Sequence, residues 1–149
     1  MKKVFLMGSL VLALFANTAS AQDLHQSQVP SLVLNSFQKA FPKATDVEWE
    51  LDGQNYKAEF ETGLLGTDHD VWYSKTGTLI RHKEEISKNK LPQKVLAKIN
   101  RDFNGYRADD VKKITEGGKT TYTLELKSFT KEWKVALDSE GTLLSKVAD

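Results

Sequence analysis

The sequence predicts an α+β fold made of two α-β-β-β-β repeats, each an antiparallel sheet with one helix packed across one face. Two observations support this prediction. Residues 29–41 read VPSLVLNSFQKAF, and residues 91–103, which lie 62 positions later, read LPQKVLAKINRDF, with apolar residues in matching places. After each segment, apolar and polar residues alternate with a period of two, as in strands that are buried on one face only. A helix followed by such strands, twice over, indicates two copies of one fold.

The first 21 residues have the pattern of a secretory signal peptide. Lys2 and Lys3 precede an apolar run of 13 residues, which is too short to span a bilayer comfortably, and Ala19-Ser20-Ala21 is a small-x-small cleavage site. No second apolar run and no cysteine for a lipid anchor follow. We therefore predict a periplasmic or secreted protein without a membrane anchor after cleavage.

Charge and cysteine content exclude several classes of function. The chain has 21 basic and 20 acidic side chains, and loss of Lys2 and Lys3 changes its formal net charge from +1 to −1. This balance gives no electrostatic case for binding nucleic acid or an anionic membrane. The absence of cysteine rules out disulfides, thiolate metal sites and cysteine nucleophiles. The mature chain must therefore be stabilised by its apolar core.

The first repeat is predicted over residues 29–84, after a polar, aperiodic lead-in at residues 22–28 that we expect to be disordered. Pro30 suits the first turn of a helix, because it has no backbone N–H to satisfy there. Apolar residues then recur at helical spacing, and Pro42 ends the helix. This pattern predicts a helix with one buried stripe.

A hairpin follows this helix, with a two-residue turn at Gly53-Gln54. The predicted register pairs the apolar residues Leu51 with Tyr56, Trp49 with Ala58, and Val47 with Phe60. The opposite face of the hairpin is charged and contains Glu48, Glu50, Lys57 and Glu59. Two further strands are predicted near residues 69–73 and 78–84, joined by a turn in which Gly77 takes a positive φ.

The second repeat is predicted over residues 91–149, after a polar linker at residues 85–90. It has the same order of one helix and four strands. Gly141 repeats Gly77 at an offset of 64 positions, which indicates the same turn.

Several segments of this chain resemble the PepSY-like, beta-lactamase-inhibitor-like domain family of exported bacterial proteins. In the first repeat they are Val29-Pro30, Phe41-Pro42, Val47-Glu48-Trp49, Tyr56–Phe60 and Gly77-Thr78-Leu79, and in the second Leu91-Pro92, Tyr122–Leu126 and Gly141-Thr142-Leu143. The resemblance covers nearly all of the predicted mature chain. It implies tandem repeats in the periplasm and a protein-binding or inhibitory role, for example against an exported hydrolase. It supplies no catalytic residues, and the chain lacks the cysteines that staple lactamase inhibitors of this shape.

The chain contains three histidines, each a potential metal ligand. His25 lies in the lead-in, and His82 is expected at a solvated strand end. His69 lies within Asp68-His69-Asp70, where it is either a metal ligand or a half-buried residue at the end of a strand. In a regular strand the two aspartates face one way and the histidine the other, so the three cannot bind one ion. We therefore predict no metal site and no cofactor.

The sequence predicts no catalytic residues either. It has no G-x-S-x-G nucleophile elbow, and Gly117-Gly118 has no phosphate-binding continuation. The glutamates of the first hairpin lie on an open face beside Lys57, not in a cleft that would raise the pKa of a catalytic acid. We predict that the protein is not an enzyme.

The best functional candidate is the charged face of the first repeat. Trp72 has the parity of its charged neighbours, so it is either an aromatic anchor within a charged interface or a residue of strands covered on both faces. Leu64-Leu65 either extends a binding edge or tucks under a corner of the sheet. The predicted partner-binding residues are Trp72, Glu48, Glu50, Lys57, Glu59, Ile80, Leu64 and Leu65.

The sequence thus favours a non-enzymatic periplasmic or secreted binding protein whose unidentified protein partner contacts the polar face of the sheet. The alternative is a small-molecule or metal-ion sensing protein of the cell envelope, with Asp68–Asp70 as one candidate position.

Overall fold

The structure is a computed structural model that describes residues 22–149, so the predicted signal peptide lies outside the described residues. The described residues contain nine β-strands, paired antiparallel, and two α-helices, which is the predicted α+β class. None of the helices in this part of the chain is long and apolar enough to cross a membrane. The described residues divide into a first unit, residues 22–85 with 114–119, and a second unit, residues 86–113 with 120–149.

The elements up to residue 85 are β1 (Gln22–Leu24), α1 (Ser31–Ala40), β2 (Thr45–Asp52), β3 (Asn55–Thr62), β4 (Thr67–Tyr73) and β5 (Leu79–Glu85). Those that follow are α2 (Gln93–Asp102), β6 (Arg107–Glu116), β7 (Lys119–Lys127), β8 (Glu132–Asp138) and β9 (Leu143–Ala148). Short 3-10 helices precede both α-helices, at Gln26–Gln28 and Lys88–Lys90.

The lead-in differs from the disordered segment that the sequence predicted. Gln22–Leu24 forms β1 and pairs antiparallel with β2, with Leu24 opposite Trp49. This pairing satisfies backbone groups at the edge of β2, and Leu24 packs against the core of the first unit. Three residues are too few to show a strand periodicity, so the sequence contained no sign of this strand.

The core of the first unit lies between α1 and one face of strands β2 to β4. Phe37 of α1 meets Trp49 nearly edge-on, with ring centroids 5.2 Å apart, and Phe60 in the same way at 5.0 Å. Edge-to-face contacts of this kind are favourable beyond the area that they bury. The buried core residues of this unit are Val29, Val33, Phe37, Trp49, Ala58, Phe60, Val71 and Tyr73.

The first hairpin has the predicted turn, and Gly53 has a φ of 63°. The predicted pairs Leu51–Tyr56 and Trp49–Ala58 are present. The pair Val47–Phe60 is replaced by a bulge, because the register shifts between Thr45 and Glu48. Asp46 has a φ of 51° at this bulge, a conformation that aspartate tolerates better than most residues.

The second unit has a core of its own beneath α2. Val95 and Ile99 of the helix are buried against strands β7 and β8, which pair antiparallel along their length. The buried core residues are Leu91, Val95, Ile99, Phe103, Val111, Tyr122, Leu124, Leu126, Val135 and Leu137.

Gly77 and Gly141 each bring a turn against the backbone of a helix. Their φ values are 82° and 81°, as the sequence predicted for Gly77. A Cβ atom at Gly77 would lie 2.6 Å from the carbonyl oxygen of Leu32, and one at Gly141 would lie 2.5 Å from that of Lys94. Each position therefore needs glycine for two reasons, its φ and the absence of a side chain.

Candidate functional site

The polar face of the first unit is the side of its sheet opposite α1. Glu50, Lys57, Trp72 and Arg81 form one row across β2 to β5, because each lies opposite the next in the register. A second row contains Glu48, Glu59, Asp70 and Lys83. The structure therefore brings together the five predicted partner-binding residues Glu48, Glu50, Lys57, Glu59 and Trp72.

Lys57 sits among carboxylates on this face. Its Nζ lies 3.4 Å from a carboxylate oxygen of Glu50 and also forms an ion pair with Glu59. Burial opposes the charged form of Lys57, but the hydrogen bond to Glu59 and the nearby negative charges outweigh burial, so the pKa of Lys57 is raised above 10.5. Lys57 therefore remains a cation at any physiological pH.

Trp72 is half-buried and lies close to one carboxylate and three cations. Its indole Nε1–H donates a 2.8 Å hydrogen bond to Asp52 Oδ2. The Arg81 guanidinium lies 4.8 Å from the ring centroid, and the Lys57 and Lys83 ammonium groups lie at 5.6 and 5.9 Å. Trp72 therefore acts as a platform on which the cations of this face are arranged.

The polar face is predominantly acidic. Lys83 forms an ion pair with Asp70, and Lys57 forms one with Glu59. The charges of these two lysines are therefore neutralised by carboxylates of the same face. A further pair of opposed carboxylates, Glu61 and Asp68, lies next to these rows at the end of the β3–β4 hairpin. The face therefore presents a negative field to solvent.

Leu64 and Leu65 form the tip of the β3–β4 hairpin, beyond the Thr62–Thr67 pair that follows Glu61 and Asp68. Their exposed fractions are 105% and 98%, so they do not tuck under a corner of the sheet. Phe129, in the β7–β8 loop of the second unit, is 109% exposed.

Ile80 differs from its expected place on the regular polar face. Trp72 pairs with Arg81 and Tyr73 with Leu79, so Ile80 is the extra residue of a bulge in β5. It is half-buried there.

A histidine cluster lies on the opposite side of the same sheet, facing α1. His69 Nδ1 is 3.0 Å from His82 Nε2, and His69 Nε2 is 2.7 Å from Thr62 Oγ1. Glu84 lies opposite His69 in the register, and ligand atoms of His69, His82 and Glu84 all lie within 4.8 Å of one another. Two imidazoles and one carboxylate therefore converge in a small volume.

The environment of this cluster is aromatic. The His69 ring stacks on Phe60 with centroids 5.0 Å apart, and the His82 ring meets Phe41 edge-on at 5.3 Å. His69 is only 8% exposed. Burial lowers the pKa of His69 below its ordinary value of 6.5, although nearby carboxylates, above all that of Glu84, act in the opposite direction.

The expectation that His82 is a solvated strand end is wrong, and the bulge at Ile80 is the reason. Counted from Leu79 without a bulge, His82 would face solvent. The extra residue reverses the parity, so that His82 lies opposite Val71 on the helix side of the sheet. By contrast, Asp68 and Asp70 face away from His69, as their parity predicted, since they lie opposite Glu61 and Glu59.

Comparison with known proteins agrees with this architecture. The family model described as "putative beta-lactamase-inhibitor-like, PepSY-like" matches residues 17–81 and 54–145. Comparison of the sequence with curated proteins finds no match.

Solved structures share the fold. A BLIP-like protein from Bacteroides fragilis NCTC 9343 is 23% identical with a TM-score of 0.66, over 80% of this chain and 86% of that one. A DUF2874 family protein from Bacteroides ovatus ATCC 8483 is 20% identical with a TM-score of 0.68, over 80% and 86%. A protein from Bacteroides eggerthii DSM 20697 described as "putative periplasmic" is 16% identical with a TM-score of 0.70, over 80% and 88%.

These structural likenesses concern the fold alone, whereas the family model covers most of the sequence. The chain therefore belongs to the PepSY-like, beta-lactamase-inhibitor-like family.

Proposed function

We propose that this protein is a non-enzymatic component of the bacterial cell envelope, built from two PepSY-like repeats, that binds a protein partner through the polar face of its first unit. The single observation that carries this proposal is the exposure of Leu64 and Leu65 at the rim of an acidic face. Exposed apolar residues beside a charged surface are typical of protein interaction sites.

The partner that fits this surface is a folded protein with a basic patch next to a shallow apolar pocket. The carboxylates of the face attract the basic patch and orient the encounter. The two leucines then supply the apolar area that is removed from water, at about 25 cal/mol per Å². Trp72, with the Arg81 guanidinium 4.8 Å from its ring centroid, adds a cationic position that binds a carboxylate or carbonyl group of the partner.

Three observations support the envelope location and the absence of catalysis. The sequence begins with a pattern typical of export. One protein of the same fold is described as "putative periplasmic" and another as BLIP-like. The second name suggests that the binding takes the form of inhibiting an exported hydrolase. The sequence also has no G-x-S-x-G nucleophile elbow.

The test compares three variants in cross-linking and affinity measurements with envelope extract, followed by titration of the captured partner. Leu64→Ser/Leu65→Ser removes the apolar rim, and Trp72→Ala removes the platform. Phe129→Ser is the matched control, because Phe129 is equally exposed in the second unit. We expect each of the first two variants to weaken binding at least ~10-fold, which corresponds to ~1.4 kcal/mol, and the control to bind as wild type. Full affinity in both variants, or an equal loss in the control, would show that the polar face of the first unit is not the interface.

A further inference from the structure

We propose that His69, His82 and Glu84 form a binding site for a divalent transition-metal ion, of which Zn²⁺ is the closest fit. The site lies on the helix side of the first unit, so it is separate from the proposed partner-binding face and does not depend on it.

The spacing of the ligand atoms suits such an ion. Ligands about 2.1 Å from a tetrahedral ion lie roughly 3.4 Å from one another. His69 Nδ1 and His82 Nε2 are 3.0 Å apart, so the rings need to separate by only a few tenths of an ångström to admit the ion. Glu84 is opposite His69 and shares its strand face with His82, and a carboxylate oxygen of Glu84 lies within 4.8 Å of a ring nitrogen of each histidine.

The surroundings hold the first ligand in place. The His69 ring stacks on Phe60 with an interplanar angle of 9°, and its Nε2 is within hydrogen-bond distance of the Thr62 hydroxyl. When Nε2–H donates to Thr62, the lone pair of Nδ1 points toward His82. A hydrogen bond from the ring nitrogen that does not bind the metal, which fixes the orientation and tautomer of the histidine, is a regular feature of protein metal sites.

Binding requires a tautomeric change at the second histidine in addition to the small separation of the rings. With His69 Nδ1 as acceptor, His82 Nε2–H is the donor of the bond that joins the rings. Moving this proton to Nδ1 of the same neutral ring exposes the Nε2 lone pair, and the ion replaces the proton between the two nitrogens. No net proton is taken up or released by His82.

The ligand set selects the class of metal. Two imidazoles and one carboxylate favour Zn²⁺, Cu²⁺, Ni²⁺ or Co²⁺ over Mg²⁺ and Ca²⁺, which prefer oxygen ligands throughout. Three protein ligands leave a fourth tetrahedral position for water.

The second unit provides an internal comparison. The residues 64 positions later are Trp133, Lys146 and Ala148, and the pairing of Trp133 with Ala148 repeats that of His69 with Glu84. None of these three residues has a metal-ligating side chain. The fold therefore does not require two histidines and a glutamate at this place, and the first unit carries a full ligand set where the second carries none.

The test uses the untagged chain from Gln22 onward, titrated calorimetrically with ZnCl₂, and its thermal unfolding with and without the ion. We expect one Zn²⁺ per chain and a Tm that rises with Zn²⁺ and falls back with EDTA, whereas MgCl₂ has no effect. The variant His69→Trp/His82→Lys introduces the packing of the second unit, and we expect it to fold and to lose binding. Glu84→Gln and Thr62→Val keep the shape of the site, and we expect each to weaken binding at least ~10-fold.

His25→Gln is the matched control, because it removes a histidine that is exposed outside the cluster, and its affinity should equal that of wild type. The proposal is overturned if wild type shows no saturable Zn²⁺ binding, if Mg²⁺ binds equally well, or if the double variant, with near-UV circular dichroism like that of wild type, retains the affinity.

Discussion

Lys146 Nζ lies 4.0 Å from the centroid of the Trp133 ring, and it is also 5.3 Å from that of Phe103. These residues occupy the places that His82, His69 and Phe41 take in the first unit. A cation over two aromatic rings stabilises the folded state, because the negative faces of the rings attract its charge.

We expect Lys146→Met to lower the free energy of unfolding by ~0.5–1 kcal/mol, since methionine keeps the length of the side chain and loses its charge. Lys146→Arg keeps the charge and should stay within ~0.3 kcal/mol of wild type. Urea unfolding followed by Trp fluorescence measures both. If Lys146→Arg lowers the free energy of unfolding as much as Lys146→Met does, the charge over Trp133 does not stabilise the folded state.

Gly77→Ala tests the close approach of the β4–β5 turn to α1. A Cβ at this position would lie 2.6 Å from the Leu32 carbonyl oxygen, in addition to the strain of a φ of 82°. Gly53→Ala is the matched control, because it has a φ of 63° and its Cβ would meet no heavy atom within 4 Å. We expect Gly53→Ala to lower the free energy of unfolding by ~1 kcal/mol because of its φ alone. Gly77→Ala should lower it by at least ~2 kcal/mol more. If urea unfolding gives the same loss of free energy of unfolding for both variants, α1 shifts to accommodate the added Cβ at no cost.

Tyr73 is 1% exposed, and its hydroxyl has no hydrogen-bond partner among residues 22–149. An unsatisfied buried hydroxyl costs free energy, so we expect Tyr73→Phe to raise the free energy of unfolding by ~1 kcal/mol at pH 7. Burial also raises the pKa of Tyr73 from 10.0 to about 12. The unfolded chain therefore ionises first, and wild type loses stability as the pH rises from 10 to about 12.

Tyr73→Phe lacks this ionisation, so its advantage over wild type should grow across the same alkaline range. Urea unfolding at pH 7, 10 and 11.5 measures the difference. A variant that is less stable than wild type at pH 7 would show that the hydroxyl has a partner in solution, such as a buried water molecule.

Trp72→Phe removes the hydrogen bond from the indole to Asp52. We expect the free energy of unfolding to fall by ~1 kcal/mol, because the acceptor is a carboxylate that remains partly accessible to water. A double-mutant cycle with Asp52→Ala should give a coupling energy of similar size. Additive effects of the two changes would mean that the hydrogen bond does not stabilise the folded state in solution.

Much of the fold could be predicted from local patterns. The apolar spacing and Pro30 predict the helix that begins at Ser31. Both signals are local, because each depends only on residues a few positions apart in the sequence. The pairs Leu51–Tyr56 and Trp49–Ala58 followed from the two-residue turn of the β2–β3 hairpin, which allows only one alignment of the apolar faces next to it. The candidate polar face followed from the same alternation, since residues of equal parity share a side of the strand.

The sequence by itself determined the two α-helices and strands β2 to β9, which side of each regular strand is charged, and where glycine is needed for a turn, because these properties depend on neighbours along the chain. Only the tertiary structure decided the rest. The bulge at Ile80 places His82 beside His69, since one extra residue reverses the faces of all residues that follow it in the strand. The strand at Gln22–Leu24 exists because β2 offers it hydrogen bonds, and these come from residues more than 20 positions away.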